Sequence, residues 1–208
     1  MKSVLSVLIA LSWLLLSCGA QEVYRLDPTS SLIQIHLDTA GALGLLGHPH
    51  LIQTPIKQGR FVFFPGDPGK SSVELVVDAS ALQVMDPKRS AQEKEEIQAT
   101  MQSGRVLDIQ QHPQIVFRSV TVEPTDRNRL QITGNLTIRS QTHPVTVNAT
   151  LEQTGPQLKA TGGSQFKQTT FGMRPVTAGL GTVRVRDQLS ISFVLTGQAL
   201  RPSPPATR

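Results

Sequence analysis

The chain has 208 residues, 38% of them hydrophobic and 17% charged, and a formal net charge of +5. Length and apolar content fit one ordinary domain and exclude a disordered chain. The basic residues (Arg60, Lys70, Arg118, Arg139, Lys159, Lys167, Arg184 and Arg186 among them) form no run and are not interleaved with aromatics, which excludes a nucleic-acid groove.

Residues 1–17 read as a secretory signal. Lys2 is followed by an apolar stretch from Val4 to Leu16, too short for a membrane span of about 20 residues. The segment Leu15-Leu16-Ser17-Cys18 resembles the bacterial lipoprotein box. Cys18 is the only cysteine and has no disulfide partner, so it is the expected lipidation site and mature N-terminus. The alternative is cleavage after Ala20 with no anchor. Gly19 is not the residue that usually holds lipoproteins in an inner membrane, so the expected location is periplasmic, at the outer rather than the inner membrane. Residues 18–22 are then an anchor and linker, 23–199 the folded domain, and 200–208 a disordered tail with three prolines.

Alternation with period two runs through the domain, the mark of strands with one buried and one wet face. It predicts eight strands. The first, near 31–38, carries Ile33, Ile35 and Leu37. The next, near 58–64 and 72–78, carry Phe61 and Phe63, then Val73, Leu75 and Val77, with Val76 out of pattern. Those near 114–122, 129–139 and 144–152 carry Ile115 and Phe117; Leu130, Ile132, Leu136 and Ile138; and Val145, Val147, Ala149 and Leu151. The last two, near 158–168 and 182–196, carry Leu158, Ala160 and Phe166, then Val183, Val185, Leu189, Ile191, Phe193 and Leu195. Between 78 and 114 the pattern breaks. Asp86 as N-cap, Pro87 at the first helical position and Gly104 as a stop predict a helix over about 87–103, with Ile97 and Met101 on its buried face. It is either a lid on one barrel end or an inert connection. Such a pattern closes as a barrel or stacks as a sandwich. A barrel of eight strands is wide enough to hold one small ligand or to fill with side chains.

The segments Tyr24-Arg25-Leu26-Asp27-Pro28, Val106-Leu107-Asp108-Ile109, His112-Pro113-Gln114-Ile115-Val116-Phe117-Arg118-Ser119, Gly134-Asn135-Leu136-Thr137-Ile138-Arg139, His143-Pro144-Val145 and Phe171-Gly172-Met173 together resemble the YceI-like family of exported bacterial proteins. The resemblance spans about 23–197. It departs at Ser140, where the family usually has Gly, and at Pro49, which replaces the acidic residue of a His-acidic-His segment. It implies an all-β, eight-stranded antiparallel, lipocalin-like barrel with one short helix, enclosing a polyisoprenoid such as a quinone tail.

Ligand contacts are expected at the inward positions Phe61, Phe63, Leu75, Ile115, Phe117, Leu136, Phe171 and Phe193. His48 and His50, spaced i,i+2, face the same way in an extended segment and are candidates for a polar headgroup. No third metal ligand of suitable spacing is evident, so no metal is expected. No Gly-x-Ser-x-Gly elbow, phosphate-binding Gly-rich loop or second cysteine is present, and the reading is a binding protein without cofactor rather than an enzyme. The expected partners are a long-chain isoprenoid lipid, the membrane through the N-terminal anchor, and a second copy in a possible homodimer. The rival reading is a packed barrel that contacts another envelope protein and holds no small ligand.

Overall fold

In the computed structural model the described residues are 21–40, 49–178 and 183–200. The expected signal, Cys18, His48 and residues 201–208 of the tail lie outside them. The strands are β1 (Glu22–Leu26), β2 (Leu32–Ala40), β3 (His50–Pro55), β4 (Gln58–Phe63), β5 (Ser72–Asp78), β6 (Gln83–Val84), β7 (Gln114–Asp126), β8 (Arg129–Ile138), β9 (Gln141–Thr154), β10 (Gln157–Lys167), β11 (Thr177–Ala178) and β12 (Val183–Ala199), with one helix, α1 (Ala91–Gln102).

Every pairing is antiparallel, and the ring β1-β4-β5-β7-β8-β9-β10-β12 closes on itself through β1 and β12. The expected eight-stranded barrel is therefore the fold. β12 is the strand that closes it. One flank pairs with β10 from Gln157↔Gln198 to Lys167↔Gln188. The other pairs first with β2 and then with β1. β1 and β2 thus lie end to end along β12, parted by a turn in which Asp27 accepts from the Thr29 N–H and from the hydroxyls of Thr29 and Ser30. β3 and β4 lie end to end in the same way, flanking β2 and β1.

The sequence reading missed β1 and β3, and the two-residue β6 and β11, as strands. β1 has only five residues, too few for a clear period. In β3 the buried positions are Ile52 and Thr54, so a polar residue stands where alternation calls for an apolar one. Thr54 Oγ1 donates to the Pro55 carbonyl at 2.9 Å and buries no unpaired hydroxyl.

The helix starts later than expected. Its N-cap is Ser90: Ser90 Oγ accepts from the Glu93 N–H, and Glu93 accepts from the Ser90 N–H, a reciprocal capping box. The Ser90 N–H first, then the Arg89 side chain, hold the Glu93 carboxyl down to about 2. Asp86 is not the cap. The helix ends at Ser103 rather than being stopped by Gly104. At this end of the barrel β6 pairs only with β3, leaving its other edge bare. The α1 residue Gln98 covers that edge, accepting from the Val84 N–H at 2.9 Å and donating to the Leu82 carbonyl at 2.7 Å. An amide side chain thereby stands in for a missing strand. Met101 and the following turn residue Leu107 are buried in the core at the same end.

The opposite end is sealed around Tyr24, which is fully buried. Its hydroxyl donates to Glu22, and Gln153 Nε2 donates to Glu22 and to the Tyr24 oxygen at 3.1 and 2.9 Å. Burial first, then the hydrogen bond to the Glu22 carboxylate, push the Tyr24 phenol far above its ordinary value, so it is neutral at any physiological pH.

The β8–β9 hairpin turns on Arg139 and Ser140, both left-handed at φ 51° and 60°, a two-residue turn of the type that favours glycine. Ser140, the family departure, keeps the shape by adopting the strained region itself. Ser140→Gly and Ser140→Ala both lose the hydroxyl contact to His112 Nδ1 (3.1 Å), so their difference isolates the backbone. The Gly variant is expected to be the more stable by about 1 kcal/mol in urea unfolding.

Candidate functional site

Alternate residues of the closed sheet face inward and enclose one elongated cavity. The cavity has a volume of about 230 Å³. On β9 its wall runs from Val145 to Leu151, roughly 20 Å at the strand rise per residue. Of the 33 lining residues only Thr54, Ser164 and Gln168 carry polar side chains. Each of these spends a hydrogen bond on the backbone: Thr54 on Pro55, Ser164 on the Thr146 carbonyl at 2.7 Å, and Gln168 on the Arg186 carbonyl at 2.7 Å. A chamber of this kind offers carbon to a guest and almost no directional bonding. Removal of apolar chain from water is then the main driving force, about 0.8 kcal/mol per CH₂.

Six of the expected contact residues, Phe61, Leu75, Ile115, Phe117, Leu136 and Phe193, line this cavity. Two do not. Phe63 stacks on Phe61 with ring centroids 5.5 Å apart, at the edge of the core around Tyr24. Phe171 is fully buried, edge-on to Phe166 and His143 at 5.2 and 5.4 Å, and supports the wall from behind Phe166. Met101, expected on the buried face of the helix but not as a ligand contact, also lines it, as do Val106 and Leu107 of the turn after α1 and Met173. The signal of the last three is hydrophobicity in segments with no strand period, which leaves their direction unreadable until the fold places them.

The inward small residues differ in what they leave. At Gly134 a Cβ would stand 2.4 Å from Phe117 Cζ, and at Gly162 2.8 Å from Phe193 Cζ and 2.0 Å from the Asn148 carbonyl oxygen. The two phenyl rings therefore occupy the space these glycines vacate. Ala149 and Ala160 line open cavity.

His50 is not in the cavity wall. Its Nδ1 lies 2.6 Å from Asp86 Oδ2, and Asp86 Oδ1 accepts from the Leu51 N–H at 2.6 Å. Asp86 is only 2% exposed. The pair ties the start of β3 to the chain just after β6, where Met85 N–H also donates to the Leu51 carbonyl at 2.8 Å. Among the described residues no three His, Cys, Asp or Glu side chains converge as a metal site. Removing the buried acceptor orphans the Leu51 N–H. Asp86→Ala is expected to destabilise the barrel by about 2 kcal/mol in chemical unfolding, with loss of amide exchange protection starting at Leu51.

Residues 24–197 match the sequence model of the YceI-like domain. A UPF0312 protein of Vibrio parahaemolyticus is 30% identical over 122 residues, which is 54% of this chain and 60% of that protein, so the match spans less than two thirds of the relative's length. The crystal structure of Burkholderia cenocepacia BcnA superposes with a TM-score of 0.66 at 20% identity, covering 82% of this chain and 98% of that one. A Campylobacter jejuni YceI protein superposes with a TM-score of 0.54 at 13% identity, covering 71% and 84%. At these identities the two structures speak for the fold alone.

Proposed function

We infer that this chain, which belongs to the YceI-like family, is a binding protein that holds the tail of an isoprenoid amphiphile, such as a polyisoprenoid quinone, inside its barrel. The observation that carries this reading is the wall: 30 of 33 lining residues are apolar, and the three polar side chains turn hydrogen bonds to the backbone instead of to a guest. Burial of a long tail gains free energy with every CH₂ removed from water, enough to exceed the cost of ordering it. Such burial is nearly non-directional, so related lipids compete for one chamber. Transport, storage or sensing are the uses open to it.

The rival reading is a packed barrel that meets another envelope protein. It draws on Gly134 and Gly162, whose space Phe117 and Phe193 already fill. Ala160 separates the two. Its side chain lines the cavity between Leu151 and Leu195 on the neighbouring strands. In a hollow barrel Ala160→Phe fills space a tail would use. Native mass spectrometry of protein purified from a bacterial envelope is then expected to show a stoichiometric prenyl lipid on the wild type and none on the variant, with stability preserved. A packed interior predicts instead no lipid on either protein and a loss of about 1–3 kcal/mol from overpacking.

The reading places the protein on the periplasmic side of a bacterial envelope, tethered through Cys18, and rests there on the sequence alone. Cys18→Ala is expected to move the protein from the membrane fraction to the soluble periplasmic fraction. Mass analysis of the wild-type N-terminal peptide should find a diacylglyceryl-type addition on Cys18. An unmodified N-terminus at Gln21 would contradict the tether and leave the barrel reading in place.

A further inference from the structure

We propose that the outer wall of β12, β1, β4, β5 and β7 at the Tyr24 end lies against an anionic lipid bilayer, the one that holds the Cys18 tether; this rests on the tether reading above. Tyr24, Phe61, Phe63 and Val73 pack into the interior, so alternation turns Val23, Val62 and Ser72 outward. These three stand in register, Val23↔Val62 and Val62↔Ser72. Leu200 extends the row on one side, its N–H donating to the Val23 carbonyl at 2.7 Å. Val120 extends it on the other, next to Ser119, whose Oγ accepts from the Val73 N–H at 2.9 Å. Val120 is 65% exposed and Leu200 44%, the two most exposed large hydrophobic side chains among the described residues. Both belong to one row whose only polar member is Ser72, whereas a surface that meets only water scatters such residues singly.

Two residues along each strand, roughly 7 Å away, the next outward row is Arg25, Arg60, Glu74 and Arg118, again in register. Arg118 Nη2 and Nε donate to Glu74 Oε1 at 2.7 and 2.9 Å. Arg25 and Arg60 stand directly opposite each other and form no ion pair among the described residues. Like charges directly opposite on a sheet are destabilising, and an anionic layer against the wall removes that penalty. An apolar row beside an arginine row is the pattern of an interfacial surface. Carbon side chains enter the boundary with the acyl chains, and guanidiniums meet the phosphates while their stems lie along the apolar row. The tether leads to the same place. From Cys18 to Glu22, where β1 begins, the chain spans at most about 14 Å fully extended, so a lipid on Cys18 keeps Val23 and its row at the bilayer surface.

The test uses the acylated protein in vesicles of phosphatidylglycerol and phosphatidylethanolamine. Single cysteines are introduced as Val120→Cys, Leu200→Cys and, on β9 across the ring from β4, Asn148→Cys, each labelled with an environment-sensitive nitrobenzoxadiazole. All three side chains are exposed, so the labels leave the core undisturbed. Cys18 is the only native cysteine and its thiol is taken by the lipid, so each label goes to the new thiol. The probes at 120 and 200 are expected to shift to the blue and to be quenched by spin-labelled acyl chains, and the probe at 148 to do neither. Arg25→Gln/Arg60→Gln should reduce the shift at 120 at least about twofold, and sodium chloride should do the same to the wild type. No shift at 120 and 200, or an equal shift at all three positions, overturns the proposal. A shift that neither the arginine variant nor salt reduces overturns the anionic surface and the proposal with it. The same shift in protein without vesicles assigns the wall to a second copy of the chain and overturns it as well. An unmodified N-terminus in the mass analysis fails the tether reading by itself. The mature protein is then mixed with the same vesicles, where a shift at 120 and 200 alone sustains the surface and its absence overturns it.

Discussion

Three rungs between β1 and β12, Tyr24↔Ala199, Arg25↔Gln198 and Leu26↔Gly197, turn an open sheet into a ring, and the rest of the molecule follows from that closure. A closed ring has no edge to protect along its paired length. It also fixes one face of every strand as interior, so alternation becomes a division between inside and outside. β12 can close the ring because it is 17 residues long and serves two partners in succession, β2 and then β1. Where closure is incomplete, beside β6, Gln98 supplies the missing hydrogen bonds and α1 the missing apolar cover.

Aliphatic side chains on eight inward faces do not fill the ring's interior. Phe117 and Phe193 lie over glycines and fill the space there, while Ala149 and Ala160 stand beside open volume. The result is a chamber lined almost entirely with carbon, sealed at one end by Tyr24 and its hydrogen-bonded neighbours Glu22 and Gln153 and bordered at the other by α1.

Strands such as β9 and most of β12 were legible in the sequence because their inward residues are apolar without interruption. Val145, Val147, Ala149 and Leu151 announce β9, and Leu189, Ile191, Phe193 and Leu195 announce most of β12. Legibility failed where one side chain served a purpose other than burial. Thr54 faces inward in β3 and hides the period. Asp86 looks like a helix cap but is a buried acceptor for His50 and Leu51, while the cap falls to Ser90 four residues on. The cavity wall was readable from strand parity for Phe61, Leu75, Ile115, Phe117, Leu136 and Phe193. Leu107 and Met173 were not, since a turn has no period from which to infer direction; Met101 was read as the buried face of α1 but not as cavity wall.

The central claim is that the tail of an isoprenoid occupies the barrel. Methyl-labelled protein loaded with a prenyl lipid tests it through intermolecular nuclear Overhauser effects. The account predicts cross-peaks from the tail to the inward methyls of Ile35, Leu136 and Ile191, which line the cavity on three different strands, and none to the exposed Val120. Cross-peaks to Val120 or other exposed methyls without any to the three inward residues would place the lipid on the outside and contradict it.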